Sequence, residues 1–266
     1  MTFRLLACDI DNTLVRFPEP PSPRIVQAVR RASQAGATVV LVTGRAFRRA
    51  RPIAQALGLT TPIICNHGGS IRDPRDGSTL YRSTLPQTLT HEIVCWLKDQ
   101  GVCVLLFEGD RVFRDCPPER IVPDFQVYAQ GEHAVLVEDV RDHIPQETES
   151  VLSTAYDHDH LGTVFERASN RWDSRVRVLF SHPYGVDIMP PSGKSQALAW
   201  LAAHLGIPQA QVLAIGDGKN DVDMLAWAGM GIAIGDGEQE AKAVAQVIAP
   251  PFDRDGAAWA IEQYVL

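Results

Sequence analysis

Both ends of this chain alternate short apolar or β-branched runs with stretches of helical periodicity, and that alternation restricts the fold more than any other feature. Strands that follow one another through helices lie parallel, because a parallel pair needs a crossover connection. The run Leu5-Leu6-Ala7-Cys8 reads as a first strand. Ser22-Pro23 then offers a helix cap with proline in the first turn, and Ile25, Val26, Val29 and Ala32 recur at helical spacing up to Gly36. Thr38–Val42 reads as a buried strand, Phe47–Leu57 as a helix despite Pro52, and Pro62–Cys65 as a third short strand. Alternation returns after Gly185, with Val186–Met189 strand-like, Ser195–Leu205 helical and Val212–Ile215 a compact buried strand.

The middle of the chain differs. Asp73-Pro74-Arg75-Asp76-Gly77 reads as a turn joining Ser70–Arg72 to Thr79–Arg82 in a hairpin. Beyond it, Leu85–Gln100 is helical, while Val102–Phe107, Val112–Phe113, Ala134–Val137, Thr163–Glu166 and Val176–Phe180 are strand candidates. The 266 residues suffice for two ordinary domains. The fold class is therefore α/β: a Rossmann-like parallel-sheet core from residues 1–82 and 183–266, with an α+β domain inserted at 83–182.

Chemistry-bearing residues gather at predicted strand ends. Asp9 and Asp11 follow the first strand at i, i+2, which places them on one side of an extended chain. Two carboxylates held together are costly unless a cation or a proton answers them. Thr43-Gly44-Arg45 ends the second strand, and Lys194 follows Pro190-Pro191-Ser192-Gly193. Gly216-Asp217-Gly218-Lys219-Asn220-Asp221 closes a later one, its glycines permitting a tight turn and its carboxylates suiting a hard cation. Each cluster alone is weak, since a lone DxD or a turn aspartate commonly caps a helix. Their order and placement at strand ends make the set specific.

Together these clusters resemble the haloacid dehalogenase superfamily, whose pattern is DxDxT, a strand-terminal Thr or Ser, Lys, then GDxxxD. Ile10-Asp11-Asn12-Thr13-Leu14 and Gly216–Leu225 are similar to the motifs of its Cof-like branch, and the inserted middle resembles that branch's class II subtype B cap. The resemblance implies a phosphatase of small phosphorylated metabolites, with Mg2+ as cofactor. It implies Asp9 as nucleophile and Asp11 as acid and base. Asp9, Asp217, Asp221 and the backbone carbonyl of Asp11 would hold the metal, and Thr43, Gly44, Lys194 and Asn220 would contact the substrate phosphate. Phosphoryl transfer needs those parts: an in-line nucleophile, neutralisation of the equatorial oxygens and a proton for the leaving group.

Three positions depart from the branch pattern. Asn12 stands at a usual glycine, His67-Gly68 at a usual Asn-Gly with Asn66 one place earlier, and Gly235-Asp236 at a usual Gly-Asn. Two rival readings stand beside the phosphatase. A phosphomutase would return the phosphate to its sugar, and a non-enzymatic binding protein would have a broken catalytic set.

The formal charge of −7 argues against non-specific nucleic-acid binding. No apolar stretch reaches the length of a membrane span or a signal peptide, so a cytoplasmic monomer or homodimer is expected. Cys8, Cys65, Cys95, Cys103 and Cys116 are odd in number and form no CxxC pair, which leaves no zinc or disulfide framework. Tyr156-Asp157-His158-Asp159-His160 reads as a solvated loop, and Arg167, Arg171, Arg175 and Arg177 as an exposed face that could meet a second substrate anion.

Overall fold

The computed structural model of this chain describes residues 3–266, apart from the side chains of residues 181 and 182. It divides into two units: the chain up to Tyr81 together with Gly193–Leu266, and Arg82–Ser192.

The first unit is built on a sheet of five parallel strands, in the order Val247–Ile248, Met230–Ala233, Val212–Gly216, Leu5–Cys8, Thr38–Leu41. Side chains alternate between two apolar layers, as strand geometry requires. Leu6, Cys8, Val39, Leu41, Leu213 and Ile215 pack with the helices Pro23–Gln34, Phe47–Leu57 and Gly256–Tyr264. Leu5, Ala7, Val40, Val212 and Ala214 pack with Lys194–His204 and Val222–Trp227. A one-residue slip would exchange the two layers, so burial on both faces fixes the register. The Pro23–Gln34 helix starts as its sequence predicts: Ser22 Oγ accepts from the Ile25 N–H at 3.2 Å, and Ile25, Ala28, Val29 and Ala32 form its buried face.

Strand order positions the site. Leu5–Cys8 lies between Val212–Gly216 and Thr38–Leu41, with Cys8 opposite Ile215 on one side and Leu41 on the other. The chain departs from the first strand in both directions, so a crevice opens outside the carboxyl ends of these strands. Asp9, Thr43 and Asp217 are the first residues beyond those ends or within two of them.

The second unit carries a six-stranded sheet in the order Arg177–His182, Gly185–Met189, Ser150–Thr154, Cys103–Glu108, Arg111–Arg114, Ala134–Leu136. All pairs are antiparallel except the last. Helices Gln87–Asp99 and His158–Trp172 cover it through Leu89, Ile93, Leu97, Leu161, Val164 and Trp172.

Several sequence expectations change here. Thr163–Glu166, expected as a strand, lies inside the His158–Trp172 helix. A four-residue window cannot separate the two periods, whereas Leu161, Val164, Ala168 and Trp172 together recur at helical spacing. In the Tyr156–His160 stretch, Tyr156 and Asp157 precede the helix while His158–His160 form its first turn, with Asp157 capping it by accepting from the His160 N–H at 3.0 Å. Gly185–Met189 does not return the chain to the parallel sheet: it pairs antiparallel with Ser150–Thr154 and Arg177–His182, and the first unit resumes at Gly193. An isolated apolar strand carries no mark of which sheet it joins. The Ser150–Thr154 strand itself was not anticipated.

Candidate active site

Asp9 is the residue at which the first strand stops. Its N–H still donates to Ile215 O at 2.9 Å, which ties it to the neighbouring strand, and its side chain is buried. Lys194, the first residue of its helix, is completely buried and donates from Nζ to Asp9 Oδ1 and Asp221 Oδ1, both at 2.6 Å. The start of that helix is anchored by Asp223, which accepts from the Ser195 N–H at 3.2 Å and from Ser195 Oγ at 3.0 Å.

The Gly216–Asp221 turn wraps around its own last carboxylate. Asp221 Oδ2 accepts from the N–H groups of Asp217 and Gly218, each at 3.0 Å. A Cβ on Gly216 would sit 2.5 Å from Asp221 Cγ, so only glycine lets the strand end this close to the carboxylate. Asp217 Oδ1 accepts from Thr13 Oγ1 at 3.0 Å, which joins the first motif to the last. Asn220 is half-buried in the same turn, with its amide oxygen against Gly218.

On the other side, Thr43 is fully buried and its N–H donates to Ile64 O at 2.9 Å. Thr43 Oγ1 accepts from the Arg45 N–H at 3.0 Å, which leaves the hydroxyl proton to donate elsewhere. Arg45 grips Asp11 as a fork, Nε to Oδ2 at 2.9 Å and Nη2 to Oδ1 at 2.5 Å.

Asp9, Asp217 and Asp221 each offer an oxygen within 4.8 Å of the other two. Asp9 and Asp221 share one ammonium, with Asp217 beside them, so negative charge is in surplus. Burial pushes the Asp9 carboxyl well above its usual range, the Asp221 charge adds to it, and Lys194 only partly offsets them. Asp217 is pushed up to about 7 by burial and then by Asp221, against the Thr13 hydrogen bond. Burial alone would lower Lys194, yet Asp221 and Asp9 outweigh it and hold the ammonium above the usual lysine value. All three directions favour bound positive charge. An all-oxygen donor set with surplus negative charge in a buried place fits a hard divalent cation.

The departures in sequence resolve physically. Asn12 adopts φ 56°, the left-handed conformation that asparagine tolerates where the branch has glycine. Asp236 adds no free anion: it accepts from the Phe252 N–H at 2.7 Å and pairs with Arg16 at 3.1 Å, and its carboxyl stays below the usual value. Cys8, beside Asp9, has its thiol pushed up by burial and by that carboxylate, opposite to what a nucleophilic thiolate needs. In the second unit, Arg171 and Arg175 both reach Glu92, at 3.7 and 3.4 Å.

Sequence reasoning missed three contacts. Thr13 was quoted in its motif without a partner, Arg45 without a role, and Asp223 not at all. Local pattern does not mark the fork, which joins side chains 34 residues apart in sequence. Nothing in sequence marks Asp223 as the anchor of a helix that starts 29 residues earlier.

Comparison with known proteins agrees with this architecture. A family model described as haloacid dehalogenase-like hydrolase matches residues 6–261. The chain is 28% identical over 270 residues to the 5-amino-6-(5-phospho-D-ribitylamino)uracil phosphatase YitU of Bacillus subtilis, covering 98% of this chain and 97% of that one. It is 27% identical to the pyridoxal phosphate phosphatase YbhA of Escherichia coli, with both chains covered completely. A haloacid dehalogenase-like hydrolase from Bacteroides thetaiotaomicron superposes with a TM-score of 0.85 at 25% identity, covering 98% of this chain and 99% of that one. The chain therefore belongs to the haloacid dehalogenase-like hydrolase family, in its Cof-like branch, and is a phosphoric monoester hydrolase.

Proposed function

We propose that this enzyme hydrolyses a small phosphomonoester with Mg2+, through an aspartyl-phosphate on Asp9. The observation that carries the reading is the gathering of three carboxylates at the sheet's switch point, only two of which, Asp9 and Asp221, hold the one buried ammonium. A scaffold would neutralise such a group. A phosphoryl-transfer site needs it, because the charge is completed by cation and substrate together.

In the first half-reaction an Asp9 oxygen bonds to phosphorus as the bond to the leaving oxygen breaks, and Asp11 gives its proton to the departing alkoxide. In the second, Asp11 takes a proton from water, the water oxygen bonds to phosphorus and the bond to Asp9 breaks, releasing inorganic phosphate. Asp11 acts only after leaving the Arg45 fork. The Thr43 hydroxyl and the Gly44 N–H donate to the transferring group. Lys194 fixes Asp9 and Asp221 and adds positive charge beside the nucleophile. Asp9, Asp217 and the Asp11 carbonyl would hold Mg2+, with Asp221 directly or through water. When bound, the ion supplies charge neutralisation to the phosphoryl oxygens.

The substrate class follows from relatives named for two dissimilar small metabolites that share a phosphate ester, a ribitylaminouracil and pyridoxal. Arg82–Ser192 acts in this reading as the substrate-choosing cap, and a reducing cytoplasm suits a chain whose five cysteines form no disulfide. A panel of phosphorylated metabolites, assayed with and without Mg2+, tests the proposal. Release of inorganic phosphate that depends on Mg2+ is expected. Isomerised ester without phosphate release would make the enzyme a mutase, and no turnover of any ester would end the reading.

A further inference from the structure

The turn that presents Thr43 and Gly44 is held from outside by a short, strained loop. Asn66 and His67 follow the Ile63–Cys65 strand and take φ 50° and 53°, two consecutive non-glycine residues in the left-handed region. Each such residue costs about 1–2 kcal/mol, so the surroundings must impose the conformation. They do so through the Thr43 turn: the His67 N–H donates to Thr43 O and the Asn66 N–H to Arg45 O, both at 3.0 Å. The next residue, Gly68, lies so close to the residue before Lys194 that a Cβ on it would sit 2.3 Å from Gly193 O. The loop is thus wedged between the backbones that carry Thr43 and Lys194.

The His67 ring completes the wedge. It is buried, and it covers the α-carbon of Gly44 so closely that a Cβ there would sit 2.3 Å from Cε1 and 2.5 Å from Nε2. We infer that the His67 imidazole is a positioning residue for phosphoryl transfer: by packing on Gly44 it holds the Thr43 hydroxyl and the Gly44 N–H in place for the transferring phosphoryl group. This rests on the proposed phosphatase reading and adds a residue that the motif pattern assigns to no step. The backbone hydrogen bonds locate the turn, while the ring denies the Gly44 peptide the room to rotate. A misplacement of about 1 Å at such a group is enough to cost on the order of 100-fold in rate.

His67→Asn is the informative variant, because asparagine also tolerates the left-handed backbone and removes only the ring. Its melting temperature should stay near wild type, kcat should fall about tenfold and KM should change little, since the turn acts on the transition state more than on the bound ester. Free imidazole should restore part of kcat by filling the vacated space. Gly44→Ala should cost on the order of 100-fold with His67 present and at least tenfold less in the His67→Asn background, because the clashing ring is gone. Wild-type kcat in His67→Asn, or strictly additive losses in the double variant, would overturn the inference. A wild-type enzyme inactive on every ester would instead remove the phosphatase reading itself, so the two failures are distinguishable.

Discussion

In the first unit three carboxylates gather at one buried ammonium that bonds only two of them, whereas in the second unit each buried carboxylate has a cation of its own. Asp9 and Asp221 hold Lys194, and Asp217 beside them leaves a surplus of negative charge. In the Arg82–Ser192 unit, Asp115 is paired with Lys98 at 2.7 Å and the buried Glu149 with Arg82 at 3.2 Å. The buried Arg114 is capped by the carbonyls of Ala129 and Cys116 at 2.8 and 2.6 Å. Matched buried charge shapes a scaffold, and unmatched buried charge waits for a ligand. The difference separates the proposed chemical site from the unit proposed as the substrate-choosing cap.

The largest break in that comparison comes at the nucleophile. Asp9→Asn keeps the shape and a hydrogen bond to Lys194 but removes the attacking charge, so kcat should fall by a factor on the order of 10⁴ with the fold retained. Steady-state kinetics beside circular dichroism check it, and near-native turnover in pure protein would move the nucleophile elsewhere.

Lys194→Met should come next. It leaves two buried carboxylates without their ammonium, a loss of about 3–5 kcal/mol in metal-free protein near neutral pH. The loss should shrink toward acid, because burial holds the Asp9 carboxyl well above its usual range and it takes up a proton there. Denaturant melts near neutral and at acid pH read the stability, and turnover of two dissimilar esters should fall alike if Lys194 serves the shared phosphoryl site as proposed.

The effect of metal should depend on pH with a defined sign. Asp217, normally near 3.8, is held at about 7 in the folded chain without metal. Its contribution to stability is therefore full below about pH 4 and lost as pH rises through 7. Divalent cation binds the ionised form and reverses that loss. The rise in melting temperature on adding Mg2+ should accordingly be small near pH 5.5 and large near pH 8, as scanning calorimetry at constant ionic strength would record. An equal rise at both would show that these carboxylates do not hold the ion.

The smallest effects belong to the second unit's surface. Arg171 and Arg175 are half-exposed and share Glu92, so either alanine variant should change stability by only about 0.2–1 kcal/mol. Activity on a compact ester should be unchanged. A loss confined to substrates with a second anionic group would assign these arginines to recognition instead.

Much of this division was legible in the sequence, and the exceptions have physical causes. The parallel core declared itself because both faces of its strands are buried, which writes continuous apolar runs such as Leu5–Cys8 and Val212–Ile215. The acidic clusters stood out because a buried carboxylate is rare without a purpose. The second unit was less legible. Ser150–Thr154 reads as polar because three of its five residues are Ser or Thr, although all five are buried, and Val186–Met189 looks like a core strand although it pairs within the other sheet. Long-range contacts such as Arg45 on Asp11 and Ser195 on Asp223 are products of packing, and local pattern carries no trace of them.

The most direct test of the account is a rapid-quench experiment on the native enzyme with Mg2+ and a phosphorus-labelled ester taken from the substrate panel. Acid-quenched protein should carry label within a single turnover, peptide mapping should place it on Asp9, and Asp9→Asn should carry none. Full turnover with no labelled protein at any time, or label on a residue other than Asp9, would contradict it.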